Sequence, residues 1–128
     1  MITYHTTDKP DEILSEGWRV AEQQLLIGGL LLTGVRVADT PLDGNEGARG
    51  DQVFRVEFPD TVDLGEFELV EEEGGTGYRE WYLPAGLIDS HATVTWMTDD
   101  AVDEVKARRW QFTDDEVDKQ IGGEGDEP

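Results

Sequence analysis

The sequence predicts an α+β domain in which mostly antiparallel strands form the body and helices lie at the periphery. Several stretches alternate apolar and polar residues, the period-2 pattern of strands with one buried face. The segments between them are rich in Gly, Asn and Asp. Helix-like patterns occur only near the start of the chain and over residues 99–109, so strands do not alternate with helices as in a βαβ fold.

Taken in order, residues 1–5 read as a strand. Asp8-Lys9-Pro10-Asp11 then opens a short helix, with Asp8 as N-cap and Pro10 in the first turn. Ile13 and Leu14 supply its buried side and Gly17 its stop. Residues 24–32 fit either a strand pair broken at Gly28-Gly29 or a short helix. Residues 35–38 read as a strand and residues 41–50, with three glycines and Asn45, as a loop with room for one helical turn. Over residues 51–58, Val53, Val56 and Phe58 alternate with Gln52, Arg55 and Glu57, and Phe54 breaks the pattern. Residues 66–70 and 78–83 form a hairpin pair across the glycine-rich segment 71–77, in which Glu71 to Glu73 read as a solvated turn. Residues 92–97 are a last strand. Asp99, Asp100 and Asp103 suit the positive end of the helix over 99–109, and Lys106, Arg108 and Arg109 suit its negative end. Trp18, Trp96 and Trp110 read as core or docking anchors, and His91 as inert. The domain spans residues 1–112, followed by an acidic tail over 113–128 expected to be disordered.

Composition narrows the function. The 128 residues carry 30 Asp+Glu against 10 Lys+Arg, a net charge of −20, and no cysteine. A phosphate polymer is repelled by such a surface, which argues against direct binding of DNA or RNA. An acidic, lysine-poor surface fits a solvated exterior, life at high salt, or imitation of a nucleic acid. Disulfides, thiolate metal sites and cysteine nucleophiles are ruled out. Two histidines are too few for a histidine-dominated metal site, and Asp39 with Asp43 lacks a metal-loop spacing. The longest apolar stretch, residues 25–32, is too short to span a bilayer, and nothing marks a signal peptide. The expectation is a cytoplasmic protein without a membrane partner.

Three segments carry a more specific signal. The first is Tyr4-His5-Thr6-Thr7, followed by Ile13-Leu14-Ser15-Glu16-Gly17-Trp18-Arg19-Val20-Ala21. The second is Gly34-Val35-Arg36-Val37-Ala38-Asp39. The third is Arg79-Glu80-Trp81-Tyr82-Leu83. In order and separation they resemble the ADP-ribosyltransferase superfamily, closest to its poly(ADP-ribose) polymerase-like, His-Tyr-Glu branch. There a strand ends in His-Gly-Ser/Thr, a second reads Gly-Ile-Tyr-Phe-Ala-Asp, and a third holds a catalytic Glu before aromatic and apolar residues. The resemblance covers roughly residues 3–97 and implies two packed, mostly antiparallel sheets with a short N-terminal and a C-terminal helix.

It also implies NAD as substrate, bound in a cleft between the sheets. His5 would bond a ribose hydroxyl, the Thr6 backbone would hold the carboxamide, and Thr7 would add a hydroxyl nearby. Glu80 would bind the nicotinamide ribose and stabilise the positive charge that grows as the glycosidic bond breaks. The family's stacking tyrosine is replaced by Arg36, which fits a pyrophosphate or acceptor contact and leaves stacking to Tyr78 or Tyr82. Arg19, Arg49, Arg55 and Arg79 are the remaining phosphate candidates. Read without the motifs, Glu80 is a strand-end carboxylate, His5 a half-buried strand-end histidine, Arg36 a salt-bridging residue, and Trp81 or Tyr82 core packing.

The expected activity is transfer of ADP-ribose to a protein or small-molecule acceptor with release of nicotinamide. By fold-level analogy, such compact transferases act as toxins or effectors. Two alternatives stand beside it: an inactive binding protein of the same fold, and an acidic inhibitor that imitates a phosphate backbone.

Overall fold

The computed structural model describes residues 1–69 and 77–108. The expected 71–73 turn, the Trp110 anchor, the boundary at 112 and the 113–128 tail lie outside them. Strand β1 (Ile2–Thr7) leads into helix α1 (Pro10–Glu16) and a single 3-10 turn, Trp18–Ala21. A hairpin of β2 (Gln23–Ile27) and β3 (Leu30–Ala38) follows, then β4 (Gln52–Glu57), β5 (Glu68–Leu69) and β6 (Glu80–Leu83). Helix α2 (Ala85–His91), β7 (Thr93–Trp96) and helix α3 (residues 99–108) complete the described chain.

The architecture is α+β, with one seven-stranded sheet ordered β5-β6-β3-β1-β4-β7 and β2 branching from β3. Every pairing is antiparallel. The expected second sheet is absent among the described residues, and the length of β3 explains it. Its nine residues pair with β2 over the first half and with β6 over the second, so one strand serves two ladders. The face on which another sheet would stack is covered by helices instead. Ile13 of α1, Trp18 of the 3-10 turn, and Ala85 and Ile88 of α2 pack on Val35, Val37, Phe54, Val56, Trp81 and Leu83. Each large side chain so buried contributes about 2 kcal/mol relative to exposure.

The other face is also covered. Ala38, Leu42, Val53 and Val102 are buried but stand outside that main cluster. Ala38 and Val53 oppose Tyr4 and Thr6 of β1, which places them on the second face. The break in alternation at Phe54 follows: Val53 and Phe54 are both buried because both sides of β4 are packed.

Smaller differences from the sequence reading have local causes. The N-cap of α1 is Lys9 rather than Asp8, and it lacks a side-chain cap; instead the Lys9 amide donates to Thr7 Oγ1 at 2.9 Å. Residues 24–32 form a hairpin whose turn, Gly28-Gly29, has φ of +56° and +84°. That left-handed pair is what a two-residue antiparallel connection requires. Trp96 is 40% exposed rather than core, held by its indole N–H on Gln52 Oε1 at 3.0 Å and tilted against Phe54. Among the described residues no helix is long and apolar enough to cross a membrane.

Candidate functional site

His5 sits near the end of β1, where β1 and β3 part: only Tyr4 and Ala38 pair directly between these strands. In place of further ladder bonds, His5 Nδ1 donates to the Arg36 carbonyl at 2.7 Å. The ring stands edge-on to Trp18, centroids 5.3 Å apart, and is 4% exposed. Burial pushes its pKa down, with the Arg36 charge adding to the effect and the carbonyl bond opposing it. The neutral ring therefore carries its proton on Nδ1, because a carbonyl can only accept. Nε2 is left as a bare acceptor. Among the described residues no fully buried side-chain nitrogen or oxygen lacks a partner, so this unbonded Nε2 must reach solvent.

His5 lines a cleft of about 370 Å³ beside the end of β1. His5, Thr6 and Thr7 form one wall and the 3-10 turn and the start of β2 another, and the charged residues of the lining are Asp8, Lys9, Glu22 and Arg49. The size falls within the usual range for small-ligand sites. Thr7 Oγ1 holds the Lys9 amide, and Thr6 Oγ1 donates to the Leu42 carbonyl at 2.8 Å. Both hydroxyls are thus already engaged in shaping the wall. Gly50, with φ of +89°, lets the 43–50 loop pass directly over the Thr7 backbone. Neither Lys9 nor Arg49 forms an ion pair among the described residues, whereas Arg36, Arg55 and Arg79 each do. Asp8 and Glu22 line the same cleft, so its charged side chains balance, two against two, on a chain of net charge −20.

The third motif lies elsewhere. Arg36 and Tyr82 are cross-strand partners, as are Ala38 and Glu80, and Ala38 in turn faces Tyr4. Directly opposed residues share a face, and successive residues alternate. Glu80, Arg36 and Tyr82 therefore occupy the Tyr4 face, and His5, one residue on, points to the other. Arg36 Nη2 is 3.2 Å from Glu80 Oε2, 3.4 Å from the Tyr78 hydroxyl and 2.9 Å from the Glu46 carbonyl. Both side chains of the ion pair are under one-fifth exposed. Burial raises the Tyr82 pKa, which the Arg36 charge lowers and the Glu80 charge raises.

The expected site thus divides into two groups. His5, Thr6 and Thr7 all line the cleft, Thr6 from the Tyr4 face; Arg36, Tyr78, Glu80 and Tyr82 gather on that Tyr4 face, and His5, Thr6 and Arg36 share a small cavity where β1 and β3 part. The His5 ring and the Glu80 carboxylate leave the sheet on opposite faces, with Arg36 in contact with both: its carbonyl accepts from His5 and its guanidinium pairs with Glu80. Arg36 joins three protein groups, the Glu46 carbonyl of the 43–50 loop, the Tyr78 hydroxyl and the Glu80 carboxylate, the role of a structural tie. Of the other phosphate candidates, Arg55 pairs with Glu57 at 3.1 Å, and Arg79 grips Glu68 through two nitrogens while lying over Trp81. Arg49 lines the cleft. Lys9, two residues after Thr7 and just before the α1 proline, also lines the cleft, a position that its place in the helix start does not reveal.

Comparison with protein-family models, curated proteins and solved structures gives no match.

Proposed function

We propose that this chain is an ADP-ribosyltransferase-like binding protein that holds the ribose–phosphate portion of a nucleotide such as NAD or ADP-ribose in the cleft at the end of β1. The observation that carries this reading is His5: a neutral ring, fixed in tautomer, with an unbonded acceptor nitrogen, in a residue that lines a cleft together with Lys9 and Arg49 and with Asp8 and Glu22. A sugar hydroxyl can donate to Nε2 or to the Asp8 and Glu22 carboxylates, and a phosphate can draw on Lys9 or Arg49. Glu80 does not fit this complex, because its carboxylate is tied to Arg36 on the other face of the sheet. The chain on this reading binds the nucleotide without breaking its glycosidic bond.

Calorimetric titration with NAD, ADP-ribose and ADP tests it, alongside an assay for nicotinamide release. The expected result is saturable binding of nucleotides, no nicotinamide release, and a loss of affinity on the order of tenfold or more in Arg49→Glu, where a charge-assisted contact becomes repulsive. Absence of binding by all three nucleotides would overturn the reading.

One observation favours transfer as a second reading. Glu80, in the third motif, is a half-buried carboxylate of fixed orientation with Tyr78 and Tyr82 beside it. If nicotinamide is released and Glu80→Gln abolishes the release, the chain is an enzyme and Glu80 its charge-stabilising group.

A further inference from the structure

The β2–β3 hairpin extends the sheet as an arm whose apolar side chains face solvent. Leu26, Leu30 and Leu31 are 60–70% exposed and Ile27 is 45% exposed. Leu26 opposes Leu31 on one side of the arm, while Ile27 opposes Leu30 and Leu25 opposes Leu32 on the other. Residues 23–35 form the longest run in the chain without a charged residue, thirteen positions in a sequence of net charge −20. Among the described residues β2 pairs with β3 alone, which leaves its outer backbone edge open there. Natural sheets guard such edges with lysine, proline, bulges or a covering segment. Here β2 reads Gln-Gln-Leu-Leu-Ile, and none of the first three devices is present.

We propose that the arm is a self-association element, and that its occupant is the same arm of a second copy. An isologous contact brings the open β2 edge of each copy alongside the other in antiparallel register, so the two arms join as one apolar ribbon. Charge selects this partner. Two acidic copies repel over most of their surfaces, and the arm is the longest stretch over which they can meet without opposing carboxylates. The four exposed side chains of each arm amount to roughly 900 Å² over both copies, below the standard interface size, which suits a weak, concentration-dependent association rather than an obligate dimer. A strand edge that needs hydrogen-bond partners is met by another strand and not by lipid tails.

The repulsion that the arm must overcome is screened by salt, so association is expected to strengthen as salt is added. Sedimentation of the full chain from micromolar to near-millimolar concentration, in 0.1 M and 1 M NaCl, tests this. The expected result is a monomer–dimer equilibrium whose dissociation constant falls by roughly tenfold or more at the higher salt. The Leu26→Lys, Leu30→Lys double variant places one charge on each face of the arm at strongly exposed positions. It is expected to stay monomeric at both salts, although it makes the chain less acidic and so less self-repelling. Hydrogen exchange supplies a second readout: β2 amides should gain protection with protein concentration in the wild type and not in the variant.

A wild type monomeric throughout would overturn the proposal, as would a variant that dimerises as well as the wild type. Flotation with uncharged phosphatidylcholine vesicles by a chain that stays monomeric in solution would also overturn it, and would assign the arm to a membrane surface.

Discussion

At the scale of single residues, the chemistry of His5 follows from one bond. Its Nδ1–H donates to the Arg36 carbonyl inside a buried contact with Trp18, and burial keeps the ring neutral. The unfolded chain accepts a proton near histidine's ordinary value of 6.5, while the folded protein accepts it only at lower pH. Between those two values the unfolded state binds more protons, so stability falls as pH falls below 6.5 and is flat above it as far as this group is concerned. His5→Phe keeps a ring but leaves the carbonyl unpaired. Urea unfolding at pH 7.5 should show a loss of about 1–3 kcal/mol, with less further loss than the wild type on going to pH 5.5. An unchanged wild-type-like pH slope in the variant would remove His5 as the titrating group. The Arg36 tie is tested in the same way. Arg36→Met abandons the Glu46 carbonyl and leaves Glu80 without its cation, and should cost about 2 kcal/mol. The sequence displayed every one of these residues, but not the pairing between Arg36 and Glu80. That contact exists because β3 and β6 align Ala38 with Glu80, a register separated by more than forty residues of chain.

Elements were legible where periodicity or turn chemistry was strong and opaque where neither was. β1, β4 and β7 declared themselves by alternation, and α1 by Pro10 and Gly17. Helix α2 gave no warning. Its N-cap is Pro84 with no side-chain capping bond, and its seven residues bury only Ala85 and Ile88, too few to mark a 3.6-residue period. The site was legible in part: His5, Thr6 and Thr7 do line a cleft, but its opposite wall comes from the 3-10 turn and β2, which carry no motif. The fold of the 43–50 loop over β1 is equally hidden, and it depends on a residue whose importance only geometry reveals. Gly50 has φ of +89°, and an added Cβ would sit against the Thr7 carbonyl and the Asp8 amide. Gly50→Ala should therefore lose at least ~2 kcal/mol of stability and weaken nucleotide binding, because the displaced backbone is a cleft wall. Gly44→Ala in the same loop has open space around the new methyl group and a negative φ, and should leave both nearly unchanged. Equal losses at the two positions, read by urea unfolding and calorimetry, would remove the loop from the site.

For the whole molecule, charge is the property sequence reports most directly, since it needs no register or packing. Sheet count is the opposite case. Whether β3 belongs to one sheet or to two depends on how a single nine-residue strand divides its hydrogen bonds, and neighbouring residues do not encode that. The charge has a consequence that the folded core must bear. Thirty acidic against ten basic residues are brought closer together on folding, and the ion pairs resolved at Arg36, Arg55 and Arg79 consume three of the few cations available. Repulsion among the remaining carboxylates opposes the compact state and is long-ranged at low ionic strength. The screening length shrinks from about 30 Å at 0.01 M salt to about 10 Å at 0.1 M and about 3 Å at 1 M. Thermal unfolding at low micromolar concentration, where association is negligible, should thus rise by about 5 °C or more between 0.01 and 0.5 M NaCl. Most of the rise should fall below ~0.2 M, where the screening length changes fastest. A general salt effect on apolar burial would instead grow steadily to high concentration. A melting temperature that is flat below 0.2 M and climbs only above it would mean that the carboxylates are spaced widely enough not to strain the fold, and that its stability rests on the two packed faces of the sheet alone.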